Sequence, residues 1–409
     1  MDQSEAHDIA RDPLAARDRS AELNALIEAI GAAALERDRE RIAPFEAMAL
    51  FKAGRWGALR LPVQAGGDGA SLRQLFNLVI RLGEADSNVA QSLRNHFAFV
   101  ERYVRLENDE RARRWRRWVA DGALFGLGST ELSSTKAGRG ESLETTVTPR
   151  GEGYVLNGTK YYSTGNLYVD YIQVRAQSGP GTKASVIVPV TREGVELLDD
   201  WDGMGQRLTG SGTSNFKDVA VSADEVVFDE PGKGYERAYA STFPQLYLTA
   251  INAGILRAIL RDANSMLGAR QRSFYHAPTP RPADDVLLLQ TIGQISANAF
   301  VAESAVLAAG ELLDAAYIAY EQGRPADELA LQAALAAAKT KIIVDDLAIK
   351  SGALLFDVGG ASAAKKSQNL DAHWRNARTL ASHNPAAYKA AAIGNYEVNG
   401  VPLPNGSYF

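Results

Sequence analysis

From about Arg19 to Leu106, apolar residues return at intervals of three and four: Leu23, Leu26 and Ile27, Ile30, then Ala34 and Leu35. That spacing keeps them on one side of a helix, so the chain should begin with a helical layer. Leu61-Pro62-Val63-Gln64-Ala65-Gly66-Gly67-Asp68-Gly69 interrupts it, because proline and closely spaced glycines suit a loop, and helices should resume from Ser71. Near Leu124 the pattern changes. Residues 143–148, 154–156, 171–175, 184–189 and 226–228 are short runs rich in β-branched or aromatic side chains, the mark of strands. Gly151-Glu152-Gly153 and Asn157-Gly158 read as hairpin turns. From about Tyr235 helical periodicity returns in segments 246–267, 284–322 and 326–356, whose near-continuous apolarity predicts a bundle that also buries a subunit interface. The tail, 395–409, carries Val401-Pro402-Leu403-Pro404-Asn405-Gly406 and should be extended, a strap for a neighbouring subunit. The expected architecture is α+β: an N-terminal helical domain (1–123), a central β domain (124–232) and a C-terminal helical bundle with an oligomerising tail (233–409).

Composition narrows the chemistry. The chain has 409 residues, 46% hydrophobic and 23% charged, with a net charge of −5, which fits a globular protein and gives no basic track for nucleic acid. Cysteine is absent, which removes disulfides and thiolate nucleophiles. The first twenty residues lack an apolar stretch of signal-peptide length, and the apolar run at 329–344 is cut by Lys339 and Lys341. A cytoplasmic protein without a membrane segment is therefore expected.

Three segments carry a resemblance, in the right order. Leu61–Gly69 resembles the Leu-Pro-x-x-x-Gly-Gly-x-Gly loop of the acyl-CoA dehydrogenase superfamily. Gly128-Ser129-Thr130-Glu131 stands where that family has its Thr-Glu turn beside the flavin. Gly153-Tyr154-Val155-Leu156-Asn157-Gly158-Thr159-Lys160 is similar to its Gly-Tyr-x-Leu-Asn-Gly-x-Lys hairpin. The departures point to a branch. Dehydrogenases typically continue Trp-Ile-Thr-Asn-Gly, whereas this chain reads Tyr161-Tyr162-Ser163-Thr164-Gly165, which resembles the two-component flavin monooxygenases of the dibenzothiophene monooxygenase type. The segments Trp201 to Thr213 and Trp374 to Thr379 resemble that branch too. Where many dehydrogenases place the glutamate that removes an acyl α-proton, this chain offers Ser382-His383-Asn384-Pro385, and the nearest downstream carboxylate is Glu397.

The resemblance implies an acyl-CoA dehydrogenase-like fold and a monooxygenase that uses O2 through a flavin C4a-hydroperoxide. Its substrate is a small organic molecule, expected to be oxygenated at sulfur, with amine and phenol left open. The flavin supplies the oxygen chemistry and the protein supplies placement, proton control and dryness. Ser163, His96 and His383 are the candidate catalytic residues: a hydroxyl to hydrogen-bond the reactive edge, and imidazoles that titrate near neutrality. Ser129, Thr130 and Thr164 are the candidates for hydrogen bonds to the ring system, and Trp201 for packing against it. Arg270-Gln271-Arg272-Ser273-Phe274 resembles the segment through which this scaffold reaches the flavin phosphate of a neighbouring subunit. Arg270 and Arg272 both remain candidates, since an arginine fork pairs bidentately with phosphate. Gly359-Gly360 matches a glycine pair that lies beside the adenylate of FAD in dehydrogenases. Phe356-Asp357-Val358 replaces the usual preceding glutamine, so FMN is expected rather than FAD. No G-x-G-x-x-G follows a strand, hence reduced FMN should come from a separate flavin reductase, to what is expected to be a homotetramer. The rival expectation is an FAD-dependent acyl-CoA dehydrogenase with an atypical base, Glu101 or Glu131. A non-catalytic flavin-binding or partner-binding protein is the third.

Overall fold

The amphipathic spacing of the first hundred residues is realised as short helices. In a computed structural model describing residues 19–132 and 143–409, α1 (Ser20–Ala32), α2 (Ala34–Glu40) and α3 (Phe45–Ala53) precede the glycine-containing loop, and α4 (Leu72–Ala85) comes after it. Ser71 caps α4 reciprocally: its hydroxyl accepts from the Gln74 amide and the Gln74 side chain accepts from the Ser71 amide, so two orphan donors of the first turn are satisfied. Next come α5 (Ser87–Ser92) and α6 (Arg94–Phe99), separated only by Leu93. The chain then loosens into a π turn over Val100–Arg105 and reforms as α7 (Glu110–Ala120).

Eight strands make one mixed sheet. They are β1 (Phe125–Gly128), β2 (Thr146–Arg150), β3 (Gly153–Lys160), β4 (Tyr171–Gln177), β5 (Lys183–Pro189), β6 (Val195–Leu197), β7 (Ser214–Val221) and β8 (Val226–Phe228). Their order is β6-β7-β3-β2-β4-β5-β8, with β1 parallel to β4. Arg150 pairs with Gly153 across a two-residue turn, as expected for Gly151-Glu152. Asn157-Gly158 is a correction. It lies inside β3, where the register against β7 shifts between Leu156 and Gly158. Gly158 takes φ 147° there, with Thr145 so close that any Cβ would strike it. A bulge exploits the same freedom at glycine that a turn does.

The last layer packs α8 (Thr242–Ala269), α9 (Val286–Glu321) and α10 (Asp327–Gly359) against one another, with α11 (Asp371–Ala381) and α12 (Ala386–Asn399) beside α10. Helix α4 lies against α8 and α9, so one apolar core runs through all three layers. α12 continues to Asn399, and only the chain after Gly400 is extended. That tail packs on its own chain: Leu403 is buried with Leu331 and Leu335 of α10, Tyr239 Oη donates to the Leu403 carbonyl (2.9 Å), and Gln245 Nε2 donates to that of Ser407 (2.9 Å). The tail thus straps the chain's own bundle, which satisfies its backbone locally. Among the described residues, no helix is long and apolar enough to cross a membrane.

Candidate active site

The segment after β3 turns sharply. Tyr162 sits in the left-handed region (φ 55°) and is exposed, while Ser163 behind it is buried. The loop is held from two sides. Ser163 N donates to the Gly212 carbonyl (3.1 Å) and Gly165 N to that of Thr209 (2.8 Å). Thr164 Oγ1 bonds Ser211 Oγ (2.9 Å), which bonds Thr209 Oγ1 (2.6 Å). Gly165, at φ 86°, lies so near the Ser92 carbonyl that a Cβ would come within 2.3 Å of it. Only glycine lets this loop seat on the turn between α5 and α6.

That turn joins the two halves of the site. Asn95 Nδ2 donates to the Thr164 carbonyl (2.8 Å), and Arg94 Nη1 meets His383 Nε2 (3.3 Å). Behind His383, Asn384 Nδ2 donates to Gln245 Oε1 (2.6 Å). His383 keeps an exposed surface, while the packing around it and the cations Arg94, Lys341 and Lys389 lower its imidazole below the usual value, so it is neutral at pH 7. Arg94, lowered to about 10 by burial, stays charged and meets Nε2, while Nδ1 of His383 faces the Asn384 amide (3.4 Å).

The structure thus brings Ser163, Thr164 and His383 to one region, with Arg94 and Asn95 as the link that sequence reasoning missed. His96 is a correction. It is fully buried, its Nε2 bonding the Gly57 carbonyl (3.0 Å) and its Nδ1 accepting from the Phe125 amide (3.2 Å). Burial pulls it down to about 4. Both nitrogens serve the backbone, so the ring has no atom left for a ligand.

Ser129 and Thr130 lie beside the loop: Tyr161 N donates to the Thr130 carbonyl (2.9 Å). Trp201 stands edge-on to Tyr162, centroids 6.0 Å apart, with its indole N–H on the Gln206 carbonyl (2.9 Å). Arg270 and Arg272 are elsewhere. They line a cavity of about 960 Å³ together with Gly359, Gly360 and Lys365, where Arg270 Nη1 donates to the Val358 carbonyl (3.0 Å). Asn88 and Asn376 line the same cavity and hold the amides of Leu208 and Gln206, so it abuts the loop that flanks Thr164.

The carboxylates of the rival reading are occupied. Glu101 is buried between Arg60 (2.7 Å) and Arg105 (2.9 Å), and those cations lower its pKa despite the opposing effect of burial. Glu131 accepts from Lys160 Nζ (2.6 Å) and from the amides of Glu144 and Thr145; these bonds likewise outweigh burial and lower it. Neither carboxylate is poised to take up a proton near neutrality.

A polar ligand fits this region. The Oγ of Ser163, the Nε of Arg94 and the Oδ1 of Asn384 are enclosed and have no hydrogen-bond partner in the protein, a cost of about 1–3 kcal/mol for each such group. A flavin edge offers donors and acceptors to a hydroxyl such as Ser163.

Comparison with known proteins agrees with this geometry. Residues 246–387 match the family model of the acyl-CoA dehydrogenase C-terminal domain. Dibenzothiophene monooxygenase of Mycolicibacterium goodii is 27% identical, over 90% of this chain and 91% of its own. A probable FMNH2-dependent monooxygenase, SfnC of Pseudomonas putida, is 26% identical over 84% of this chain and 85% of its own. The crystal structure of FMN-bound TdsC from Paenibacillus sp. A11-2 superposes with a TM-score of 0.87 at 25% identity, covering 95% of this chain and 98% of that one. Motifs and layers lead to one placement: residues 246–387 match the acyl-CoA dehydrogenase C-terminal domain, and over nine-tenths of its length the chain is similar to the dibenzothiophene monooxygenase-type flavin enzymes.

Proposed function

We propose that the protein is a reduced-FMN-dependent monooxygenase that inserts one atom of O2 into a small organic substrate, at sulfur. The observation that carries the reading is His383, a neutral imidazole where a dehydrogenase needs a carboxylate, in a chain whose two alternative carboxylates are locked in ion pairs. When bound, reduced FMN supplies two electrons and the activation of dioxygen. Ser163 offers its unpaired hydroxyl to the flavin edge. Ser129 and Thr130 lie at the same end of β1 to bind the ring, while Trp201 and Tyr162 wall it from water. Arg270 and Arg272 have no carboxylate partner among the described residues and suit the flavin phosphate of an adjoining subunit. His383, neutral and held by Arg94, offers its imidazole for proton transfer near the reacting oxygen.

The choice of sulfur is supported by the relatives, whose names specify dibenzothiophene. A separate flavin reductase fits a chain of this branch with no dinucleotide fingerprint. Subunit association is supported by α9, which leaves Val286, Leu287, Leu289, Phe300 and Leu312 exposed, more apolar surface than an isolated helix face keeps in water; light scattering should return a tetramer.

The reading is tested by supplying the protein with FMN, a flavin reductase and NADH under ¹⁸O2 with a panel of sulfides, sulfoxides and sulfinates. One ¹⁸O atom per product molecule is the expected result. Bleaching of the bound flavin by an acyl-CoA under anaerobic conditions, with no oxygen incorporation, would establish the dehydrogenase instead.

A further inference from the structure

We infer that the substrate carries a compact oxyanion, a carboxylate or sulfinate, and that Arg94 binds it. The inference rests on the monooxygenase reading and adds the charge of the substrate. Several enclosed arginines elsewhere are matched with carboxylates, Arg37 with Asp86 (2.7 Å), Arg60 with Glu101 (2.7 Å), Arg175 with Asp229 (2.5 Å), while Arg102 lies over the Tyr235 ring (3.9 Å) and Arg116 donates to the Val104 and Glu107 carbonyls. Arg94 has no carboxylate within ion-pair distance among the described residues, its Nε is enclosed and unbonded, and its one side-chain partner is a neutral imidazole at 3.3 Å.

The surroundings do not correct this imbalance. Three cations from three helices act on His383: Arg94 of α6, Lys341 of α10 and Lys389 of α12. One carboxylate, Asp345, answers them, bonded to Lys341 and shared with Asn252 Nδ2 (2.7 Å). Lys389 donates to the Tyr408 carbonyl and lies over the Phe409 ring (4.2 Å). Glu397 is occupied by Lys339 (2.8 Å). Gln245 and Asn384, which complete the wall, are neutral. A cation with an enclosed, unbonded N–H is unfavourable until an acceptor satisfies it, and a guanidinium with a free edge suits a planar or pyramidal oxyanion through paired N–H donors. The flavin phosphate has its own arginines in the cavity of Arg270 and Arg272, and Ser163 lies beyond Asn95 from Arg94 along the turn. The cationic side is thus the substrate's side, and the orphan hydroxyl is the flavin's.

The experiment measures binding, without turnover, to the full chain loaded with oxidised FMN. Calorimetry compares benzoate with benzamide and benzenesulfinate with methyl phenyl sulfoxide, neutral partners of similar shape. The anions should bind about tenfold or more tightly, the scale of a charge-assisted hydrogen-bond pair. Arg94→Met should abolish the preference, and Arg94→Lys, which keeps the charge and loses the fork, should retain part of it. FMN affinity, read by flavin fluorescence, should stay within twofold in both. Equal binding of charged and neutral probes, binding of none of them, or a fall in FMN affinity with the anion preference intact in Arg94→Met would each overturn the inference. If Arg94→Met does not fold, the partial preference in Arg94→Lys decides by the same criteria. Oxygen incorporation is measured separately, so failure of the monooxygenase reading would be distinguishable.

Discussion

The two sides of α6 treat polar groups in opposite ways. On the inner side, His96 commits both ring nitrogens to the backbone, and one turn further Glu101 is balanced by Arg60 and Arg105. On the outer side, Arg94, Ser163 and Asn384 keep atoms enclosed and unpaired. The inner groups serve folding, tying an N-terminal loop to β1 and bracing the π turn. The outer ones weaken the apoprotein, and a fold tolerates such groups where a ligand completes them. Residue type does not separate the classes, since a histidine stands in each.

Four substitutions would break or sharpen this contrast. The largest effect is expected from His383→Ala: kcat for product oxygenation should fall about 10²–10⁴-fold, the range for loss of a general acid, with the thermal midpoint little changed. A variant that keeps its rate would remove His383 from the chemistry. On the inner side, Glu101→Gln should destabilise by about 3–5 kcal/mol in urea titrations, because it removes the buried charge that two guanidinium groups share and leaves Arg60 only Asp314 and Arg105 only Glu321, and flavin affinity per folded molecule should persist. His96→Leu comes next, at about 2–4 kcal/mol, since the Gly57 carbonyl and Phe125 amide lose their partner; its specific activity once folded should match the parent within a few-fold. The same residue has a pH signature. Folded His96 is held neutral down to about 4, whereas the unfolded imidazole takes a proton below its ordinary value near 6.5. Its stabilising contribution is therefore complete above that value and declines as pH falls from about 6.5 to about 4. His96→Leu should flatten that part of the stability curve, and an unaltered slope would refute the assignment. The smallest stability change belongs to Ser163→Ala, expected to leave the apoprotein equally or up to about 1 kcal/mol more stable, while FMN binding, measured by fluorescence quenching, weakens. A destabilised apoprotein with unaltered flavin affinity would move Ser163 to the inner class.

The sequence motifs that proved legible are those whose meaning is local. Proline and glycine in 61–69, the Ser71 cap and the Gly151-Glu152 turn are set by neighbours in the chain, and three long apolar segments became α8, α9 and α10 with only their ends displaced. What was hidden depends on partners. β1 reads Phe-Gly-Leu-Gly and has no strand character until it lies beside β4, and Asn157-Gly158 cannot declare itself a bulge without β7 opposite. The choice of His96 over Arg94 has a different cause. Consecutive helical residues point about 100° apart, so neighbours can face a core and a cleft. Leu93, Phe97 and Val100 are all fully buried and their spacing marks the core side of α6; His96 falls on that stripe, Arg94 and Asn95 do not. Reading the stripe before the residue type would have found the outer pair.

The turn that carries Ser92, Arg94 and Asn95 touches the loop of Ser163 on one side and His383 on the other. Cofactor and substrate therefore share a single mechanical support, and a change of shape there is felt by both. Side-chain changes at Arg94 that leave the backbone in place act on the substrate's side alone, whereas changes that move the turn's backbone, on which the Ser163 loop is seated, also reach the flavin. The opposite wall, built from α12 and the tail through Asn384, Lys389 and Tyr408, does not bear on the Ser163 loop through any bond described for it. New substrate ranges should be sought by varying that wall, with the turn held constant.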